Sequence, residues 1–126
     1  MRLRGQYTCP LELTHDMIKG KWKSIILWRL RHGHTSLSKL KNDIEGISQK
    51  MLLEHLKELI EYGLVGKKVF EGYPLKVEYY LTSDRGYRTL EALAIMQQLG
   101  IEFMIQNGME DELRERGAVP KGHKVT

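Results

Sequence analysis

"LVGKKVFEGYPLKVEYYLT", residues 64–82, is the stretch of sequence that decides the fold. Two runs rich in β-branched and aromatic residues, at 64–70 and 77–81, flank six residues that contain Gly72 and Pro74. Such runs on either side of a loop are typical of a β-hairpin. Because apolar side chains alternate with more polar ones in the second run, we expect the hairpin to bury one of its faces.

The segment before this hairpin, "GISQKMLLEHLKEL" at residues 46–59, has the pattern of an amphipathic helix. Ser48 can cap its first turn, and Gly63 can end it after about Tyr62. Its apolar stripe consists of Leu52, Leu56 and Leu59. This spacing predicts a helix that packs one side against a core and leaves the other side exposed.

A shorter helix is expected just upstream, between a candidate cap at Ser38 and a break at "EG", residues 45–46. Its apolar side consists of Leu37, Leu40 and Ile44. Two helices around a tight turn form a helix-turn-helix, whose second helix enters the major groove of DNA. Since the hairpin follows directly, we predict a winged helix, in which the hairpin, or wing, can add phosphate or minor-groove contacts.

The outward side of the second helix carries the candidate DNA-reading residues. Glutamine can bind adenine through two hydrogen bonds, lysine can reach guanine or phosphate, and a serine at a helix N-terminus suits a phosphate. We therefore expect a groove set of Ser48, Gln49, Lys50 and Leu53. The expected phosphate contacts are Lys57, Lys67, Lys68 and Lys76. Two alternatives remain open: an ordinary helix with a solvated polar side, and a winged helix that binds proteins and does not read DNA.

Length and composition restrict the remaining classes. A chain of 126 residues, 41% of them hydrophobic, can build one compact core, so we expect one domain. One cysteine and five scattered histidines give neither a disulfide framework nor metal-ligand spacing, and we expect no metal and no cofactor. The sequence lacks a signal-peptide pattern and an apolar run of membrane length, which predicts a cytoplasmic protein without a membrane partner.

The positive charge of the chain is unevenly distributed. Residues 1–50 contain ten Lys or Arg and four acidic residues, whereas residues 51–126 contain ten and twelve. Binding to a polyanion needs clustered positive charge, and the surplus lies upstream of and around the predicted helix-turn-helix. Double-stranded DNA is therefore the expected partner, although charge alone fits solvated helix faces equally well.

Five short motifs in the chain have an order and spacing that are specific to one family. They are "CP" at residues 9–10, "GKWK" at 20–23, "GISQKML" at 46–52, "GLV" at 63–65 and "P.KVEYYLT" at 74–82. Together they resemble the HxlR-type winged-helix regulators of bacteria, over roughly residues 9–104. The resemblance implies a homodimeric transcription factor, a repressor more often than an activator, that binds duplex DNA through two recognition helices.

Apolar side chains surround the last predicted helix, "YRTLEALAIMQQLGIEFMI" at residues 87–105, which Thr82 or Ser83 can cap. They are Leu90, Leu93, Ile95, Met96, Leu99, Ile101, Phe103 and Met104. Because one small domain offers a single core, we expect a second subunit to cover the other side of this helix. Two-fold symmetry then predicts a pseudo-palindromic operator with half-sites about 34–36 Å apart. A monomer with a larger internal groove is the alternative.

The predicted fold class is α+β, mostly α: a winged helix-turn-helix with a two-stranded wing and added N- and C-terminal helices that form a dimer interface. The first added helix is expected in "CPLELTHDMI", residues 9–18, and the resemblance suggests that it joins the interface. A further helix in "KWKSIILWRLRHG", residues 21–33, is expected to supply core side chains, which are Trp22, Ile25, Ile26 and Leu30. We expect this domain to span residues 1–107, with a small basic arm at Arg2 and Arg4, and residues 108–126 to form a charged tail.

Cys9 is a candidate redox sensor. It precedes Pro10 at a predicted helix N-terminus, where the helix dipole and free N–H groups favour a thiolate. The resemblance implies that some relatives sense oxidants or electrophiles through the cysteine at this position. With no second cysteine in the chain, a disulfide could form only with Cys9 of another subunit or with a small thiol. A structural cysteine, with a small-molecule effector bound at the dimer interface, is the alternative.

Enzymatic activity is not expected from this sequence. A reaction with Cys9 as nucleophile would need His15 or His34 as base, and His15 falls on the far side of the same predicted helix. A glycine-rich phosphate loop and a cluster of histidines at ligand spacing are also missing from the sequence. The class predicted for the chain is therefore a DNA-binding regulator.

Overall fold

The computed structural model of the chain describes residues 5–115, which divide into two compact units after Leu90. The helices of the described part are α1 (Pro10–Ile18), α2 (Lys23–Arg29), α3 (Leu37–Asp43), α4 (Gln49–Glu61), α5 (Arg85–Gln106) and α6 (Glu110–Glu115), with a 3-10 turn at Leu30–His32. The strands are β1 (Thr35–Ser36), β2 (Val65–Phe70) and β3 (Lys76–Leu81). Over residues 5–115, none of the helices has the length and apolarity needed to cross a membrane.

Helices α3 and α4 form the predicted helix-turn-helix. The turn between them contains Gly46 at φ 91°, a conformation that side chains with a Cβ rarely adopt. Ser48 caps α4 as expected, because its Oγ accepts a hydrogen bond from Met51 N at 3.1 Å. The leucine stripe at positions 52, 56 and 59 is buried, with no more than 1% of any side chain exposed. This burial fixes which side of α4 faces outward.

The cap of α3 differs from the predicted one. Ser36 accepts the hydrogen bond from Lys39 N at 3.2 Å, so α3 begins at Leu37, and Ser38 lies in its first turn. Ser36 also belongs to β1, which means that the residue ending the strand starts the helix. The predicted apolar side is confirmed, since Leu40 and Ile44 are buried and Leu37 is half-buried.

The hairpin is confirmed, but it belongs to a three-stranded antiparallel sheet with the order β1-β3-β2. Strand β1 was not predicted from the sequence; its residues Thr35 and Ser36 pair with Tyr79 and Glu78 of β3. Tyr79 and Leu81 are buried, which confirms the predicted inward face of β3. The wing is therefore anchored on the residues that lead into the helix-turn-helix.

A close approach within the sheet requires glycine at position 66. Gly66 pairs with Tyr80, and a Cβ on Gly66 would lie 2.4 Å from the Tyr80 ring. The ring of Tyr80 therefore lies across the backbone of β2, and its other neighbour is His34, whose ring stacks on it with centroids 4.5 Å apart. These contacts fix the base of the wing.

Helix α2 and the 3-10 turn after it supply the centre of the core, as expected for Ile26 and Leu30, which are fully buried. Ile25 was expected in the core and is 36% exposed, because the step of 100° per residue turns it away from its buried neighbour Ile26. The helix continues into the 3-10 turn and ends at Gly33, as predicted. Trp22, which was also expected in the core, is only half-buried.

The second unit contains most of α5 and the short helix α6. Thr82 takes the expected capping role at the start of α5, in the first unit, where its Oγ1 accepts from Gly86 N at 2.8 Å. Further along α5, four large apolar side chains that the sequence had assigned to buried surroundings are exposed in the single chain: Ile95, Met96, Leu99 and Phe103. The charged stretch at 110–115 forms α6, while Arg2, Arg4 and the end of the predicted tail lie outside the described residues.

Candidate nucleic-acid interface

The outward side of α4 carries the predicted groove set. Gln49, Lys50 and Leu53 are exposed, and Lys57 follows one turn after Leu53 on the same side. Ser48 is also exposed, and its hydroxyl is used by the helix cap. The helical spacing of α4 thus places the four groove residues and Lys57 on one face. Their contact with DNA stays a prediction.

A buried ion pair holds α4 against α2. Lys23 Nζ lies 3.1 Å from Glu58 Oε2, and the side chain of Lys23 is only 9% exposed. The same carboxylate oxygen accepts a hydrogen bond from the Tyr62 hydroxyl at 3.1 Å. Burial, together with this hydrogen bond and the charge of Glu58, raises the pKa of Tyr62 to about 12. The pair therefore joins the recognition helix to the core through charge as well as through leucines.

His55 is the titratable residue of α4 next to this pair. Burial, and then the positive charge of Lys23, lower the pKa of His55 below its ordinary value of 6.5. Its Nδ1 is buried without a hydrogen-bond partner among the described residues. A proton on His55 would place a second positive charge beside Lys23, so the neutral imidazole is the form that this packing favours.

The three predicted wing lysines do not form one patch. Cross-strand pairing places Lys67 beside Tyr79 and Lys68 beside Glu78, so these two consecutive side chains leave β2 on opposite faces. Lys68 and Lys76 lie together, with their Nζ atoms 5.0 and 5.4 Å from the centre of the Phe70 ring. Lys67 is therefore separated from the other two by the thickness of the hairpin.

Lys76 also has an acidic neighbour. Its Nζ lies 3.3 Å from Glu78 Oε2, and the other oxygen of Glu78 lies 3.6 Å from His34 Nδ1. Because Lys76 is well exposed, this ion pair is weak in water, but it offsets part of the charge that a phosphate would meet. For this reason we expect Lys76 to bind phosphate more weakly than the sequence suggested.

The tip of the wing presents apolar side chains that sequence reasoning did not assign to a site. Tyr73 is fully exposed and Leu75 is 65% exposed. Apolar side chains in a loop of this kind can insert beside sugars or between bases in the minor groove. A signal was present in the sequence, since the loop between two strands contains an aromatic and a leucine where small polar residues are usual.

Cys9 lies at the position that precedes α1, with extended backbone and Pro10 as the first helical residue. It is exposed, and its thiol is the free thiol of the chain. Its carbonyl oxygen accepts from Glu12 N at 3.0 Å, which closes the first turn. The predicted helix start is confirmed, and the thiol is open to reagents in solution.

A capped helix with a polar outward side, placed between a first helix and a β-hairpin, defines a winged-helix DNA-binding protein. The chain belongs to the HxlR-like helix-turn-helix family, whose family model matches residues 17–108. This assignment confirms the resemblance, the transcription-regulator class and the mostly helical winged fold.

Three known proteins that are similar to the chain carry the names of regulators. MalR of Fusobacterium mortiferum, a protein assigned a regulatory role, is 39% identical over 100 residues, which cover 79% of this chain and 93% of MalR. A solved structure of a MarR-family protein of Porphyromonas gingivalis W83 is 33% identical, with a TM-score of 0.72, and covers 80% of this chain and 98% of its own. The redox regulator HypR in its oxidized form is 38% identical, with a TM-score of 0.67 and coverages of 73% and 94%.

Proposed function

We propose that the protein is a homodimeric repressor that binds a pseudo-palindromic operator in double-stranded DNA and acts in the cytoplasm. The observation that carries the proposal is the first turn of α4, where a capped helix N-terminus presents Gln49 and Lys50 to the outside. Glutamine and lysine are side chains that read base edges in the major groove. We assign repression because the resemblance to the family implies a repressor more often than an activator.

The homodimer rests on the exposed apolar face of α5. Ile95, Leu99 and Phe103 follow one another at intervals of four residues, and each is 60% to 65% exposed in the single chain. A stripe of this size is costly to leave in water, and a second copy of the same helix is the partner that two-fold symmetry provides. Two recognition helices would then meet successive major grooves on one side of the duplex, about 34–36 Å apart.

Selection of bound duplexes from a random library by the purified protein tests this function. We expect enrichment of an inverted repeat, and an affinity for the selected duplex that falls steeply with salt because counterions are released from phosphates. The same titration on scrambled DNA gives the specificity ratio. A library that returns no enriched sequence would contradict sequence-specific binding and would favour a winged helix that binds proteins.

Cys9 is proposed as the residue through which thiol-reactive or oxidative signals release the operator. Its exposed thiol at a helix start supports this role, and so does the likeness to HypR, which is named a redox regulator. Alkylation of wild-type protein by an electrophile such as a maleimide joins Cys9 Sγ to the reagent and should weaken operator binding. Cys9→Ser protein should bind DNA and ignore the reagent. Release of the Cys9→Ser protein by a compound would instead indicate an effector site that works without thiol chemistry.

The proposal assigns no catalytic activity to the chain. His34, one of the two candidate bases, is stacked on Tyr80 and faces Glu78 at the base of the wing. Cys9 lies at the start of α1 with its thiol exposed to solvent. Steep salt dependence of DNA binding distinguishes a regulator from an enzyme that uses the same surface for a small substrate.

A further inference from the structure

A cleft opens between α3, the first residue of α4 and the wing. Its volume is about 760 Å³, and its walls include Lys41 and Asn42 from α3, Gln49 from α4, and Leu75 and Lys76 from the wing. The cleft thus places a candidate base-reading side chain, Gln49, in the same concave surface as two lysines. No role for Lys41 or Asn42 was expected from the sequence.

The lysines around this cleft differ in their partners. Lys76 Nζ lies 3.3 Å from Glu78, and Lys39, two residues before Lys41, is bound by Asp43 at 2.8 Å. Within residues 5–115, Lys41 has neither an ion pair nor a hydrogen bond to its side chain. The amide of Asn42 likewise has no hydrogen-bond partner in that part of the chain. The α3 wall of the cleft therefore presents a cation and a neutral hydrogen-bond donor that are both available to a ligand.

The position of the cleft beside the first turn of α4 indicates which part of the DNA would lie in it. When the first turn of α4 lies in a major groove, the phosphates of the strand that borders the groove lie beside that turn, where α3 crosses the backbone. A phosphodiester carries one negative charge and two acceptor oxygens, which match the ammonium of Lys41 and the amide of Asn42. The apolar wing side of the cleft, at Leu75, suits the deoxyribose next to that phosphate.

We propose that Lys41, assisted by Asn42, binds one backbone phosphate of each operator half-site and anchors the protein to the backbone beside the base that Gln49 meets. Lys41 is a positioning residue, and the proposal rests on the DNA-binding function proposed above. Because the phosphate contact and the base contact lie in one cleft, loss of Lys41 lowers affinity for every sequence while the base preference at Gln49 is kept.

The test replaces single phosphodiesters of the selected operator by neutral methylphosphonates, one linkage at a time, and measures Kd for wild-type and Lys41→Gln protein. We expect one linkage per half-site at which neutralisation weakens wild-type binding by roughly tenfold, as for a hydrogen bond to a charged group. Lys41→Gln removes this contact from both half-sites of the homodimer, so it should weaken binding to the unmodified operator by roughly a hundredfold and show no further loss at either linkage. The slope of log K against log salt should fall by about 0.9 per lost contact.

Two further variants separate a phosphate contact from a general effect. Lys41→Arg keeps the charge and should retain the dependence on that linkage. Lys39→Gln removes the same formal charge from the same helix and should leave the linkage profile of the wild type in place. Free inorganic phosphate at millimolar concentration should compete weakly and equally with all duplexes, since the free ion lacks the adjoining base contact.

The outcomes distinguish this proposal from the function on which it rests. If an operator is enriched and Lys41→Gln binds it with wild-type Kd, salt slope and linkage profile, the role of Lys41 is wrong and the regulator remains. If Lys41→Gln changes base preference at the position read by Gln49, Lys41 is a reading residue and the positioning role is wrong. If no duplex is enriched, both proposals fall together.

Discussion

Replacing Lys23 by methionine is expected to destabilise the protein by about 3 kcal/mol. Methionine matches the length of the lysine stem, so packing is largely kept and the loss is that of the counter-charge to Glu58. Removing one partner of a buried pair costs roughly 3–5 kcal/mol. The lower value applies here because Glu58 keeps the Tyr62 hydrogen bond and because its side chain is 20% exposed, so water can solvate the remaining charge.

The measurement is a double-mutant cycle in which unfolding by urea is monitored by tryptophan fluorescence. It is repeated at several protein concentrations, because dimerisation adds to the apparent stability. The variants are Lys23→Met, Glu58→Gln and the two combined. In the double variant neither charge is left alone, so its loss of unfolding free energy should be at least about 1 kcal/mol smaller than the sum of the single losses. Glu58→Gln keeps an acceptor for Tyr62, which isolates the charge from the hydrogen bond.

Additive losses, within about 0.5 kcal/mol, would refute the reasoning. The pair would then contribute nothing beyond each side chain alone, and the leucines of α4 would be sufficient to hold the recognition helix. A coupled result has a functional consequence as well. Lys23→Met should lower operator affinity, because a less firmly held α4 must be ordered when it enters the groove.

Four further outcomes follow from the site. Gln49→Ala should cost on the order of 1 to 3 kcal/mol of operator binding and relax preference at one position per half-site, whereas an equal loss on all sequences would make it a positioning residue. Ser48→Ala removes the cap of α4 and should lower the unfolding free energy by about 1 kcal/mol in urea titrations. Because burial lowers the pKa of His55 below 6.5, the unfolded chain takes up a proton before the folded chain as pH falls. The unfolding free energy should therefore be fully present above pH 6.5 and decline as pH falls toward the lower pKa of the folded state. His55→Gln should flatten this decline, as measured by urea titrations at each pH. Leu99→Glu should shift sedimentation equilibrium toward monomer and weaken operator binding, while Gln98→Glu, with a similar new charge on a neighbouring exposed position, should not.

Local periodicity was sufficient to predict the helix-turn-helix and the wing. The leucine stripe at 52, 56 and 59 is buried, and the predicted strands at 64–70 and 77–81 agree with Val65–Phe70 and Lys76–Leu81 to within one residue. Strand β1 could not be predicted in this way. It has only two residues, and it exists because Thr35 pairs with Tyr79, which lies far along the chain. A strand of two residues has no period of its own to detect.

Only the part of the candidate site that depends on local spacing could be predicted from the sequence. The outward residues of α4 follow from helical spacing, and Lys76 and Glu78 share a strand face because they are two residues apart, so their ion pair was within reach of the sequence. The pairing of Lys23 with Glu58 was not, because only the packing of α2 on α4 brings these residues together. The proposed phosphate contact of Lys41 could not be predicted from the sequence either. It depends on the cleft and on the absence of a carboxylate partner for Lys41 in the described residues.

Ion pairs occupy several basic residues, so the net charge alone does not show which of them are available to bind DNA. In the basic first part of the chain, Lys19, Lys23 and Lys39 are bound by Asp16, Glu58 and Asp43. Lys41 of α3 and Lys50 of α4 have no such partner in residues 5–115, and both lie on the helix-turn-helix. The acidic residues therefore neutralise lysines outside the α4 face and leave positive charge beside Gln49. We therefore expect the salt dependence of DNA binding to follow these unpaired lysines, which would let a protein with a formal charge of only +4 bind a polyanion through one face.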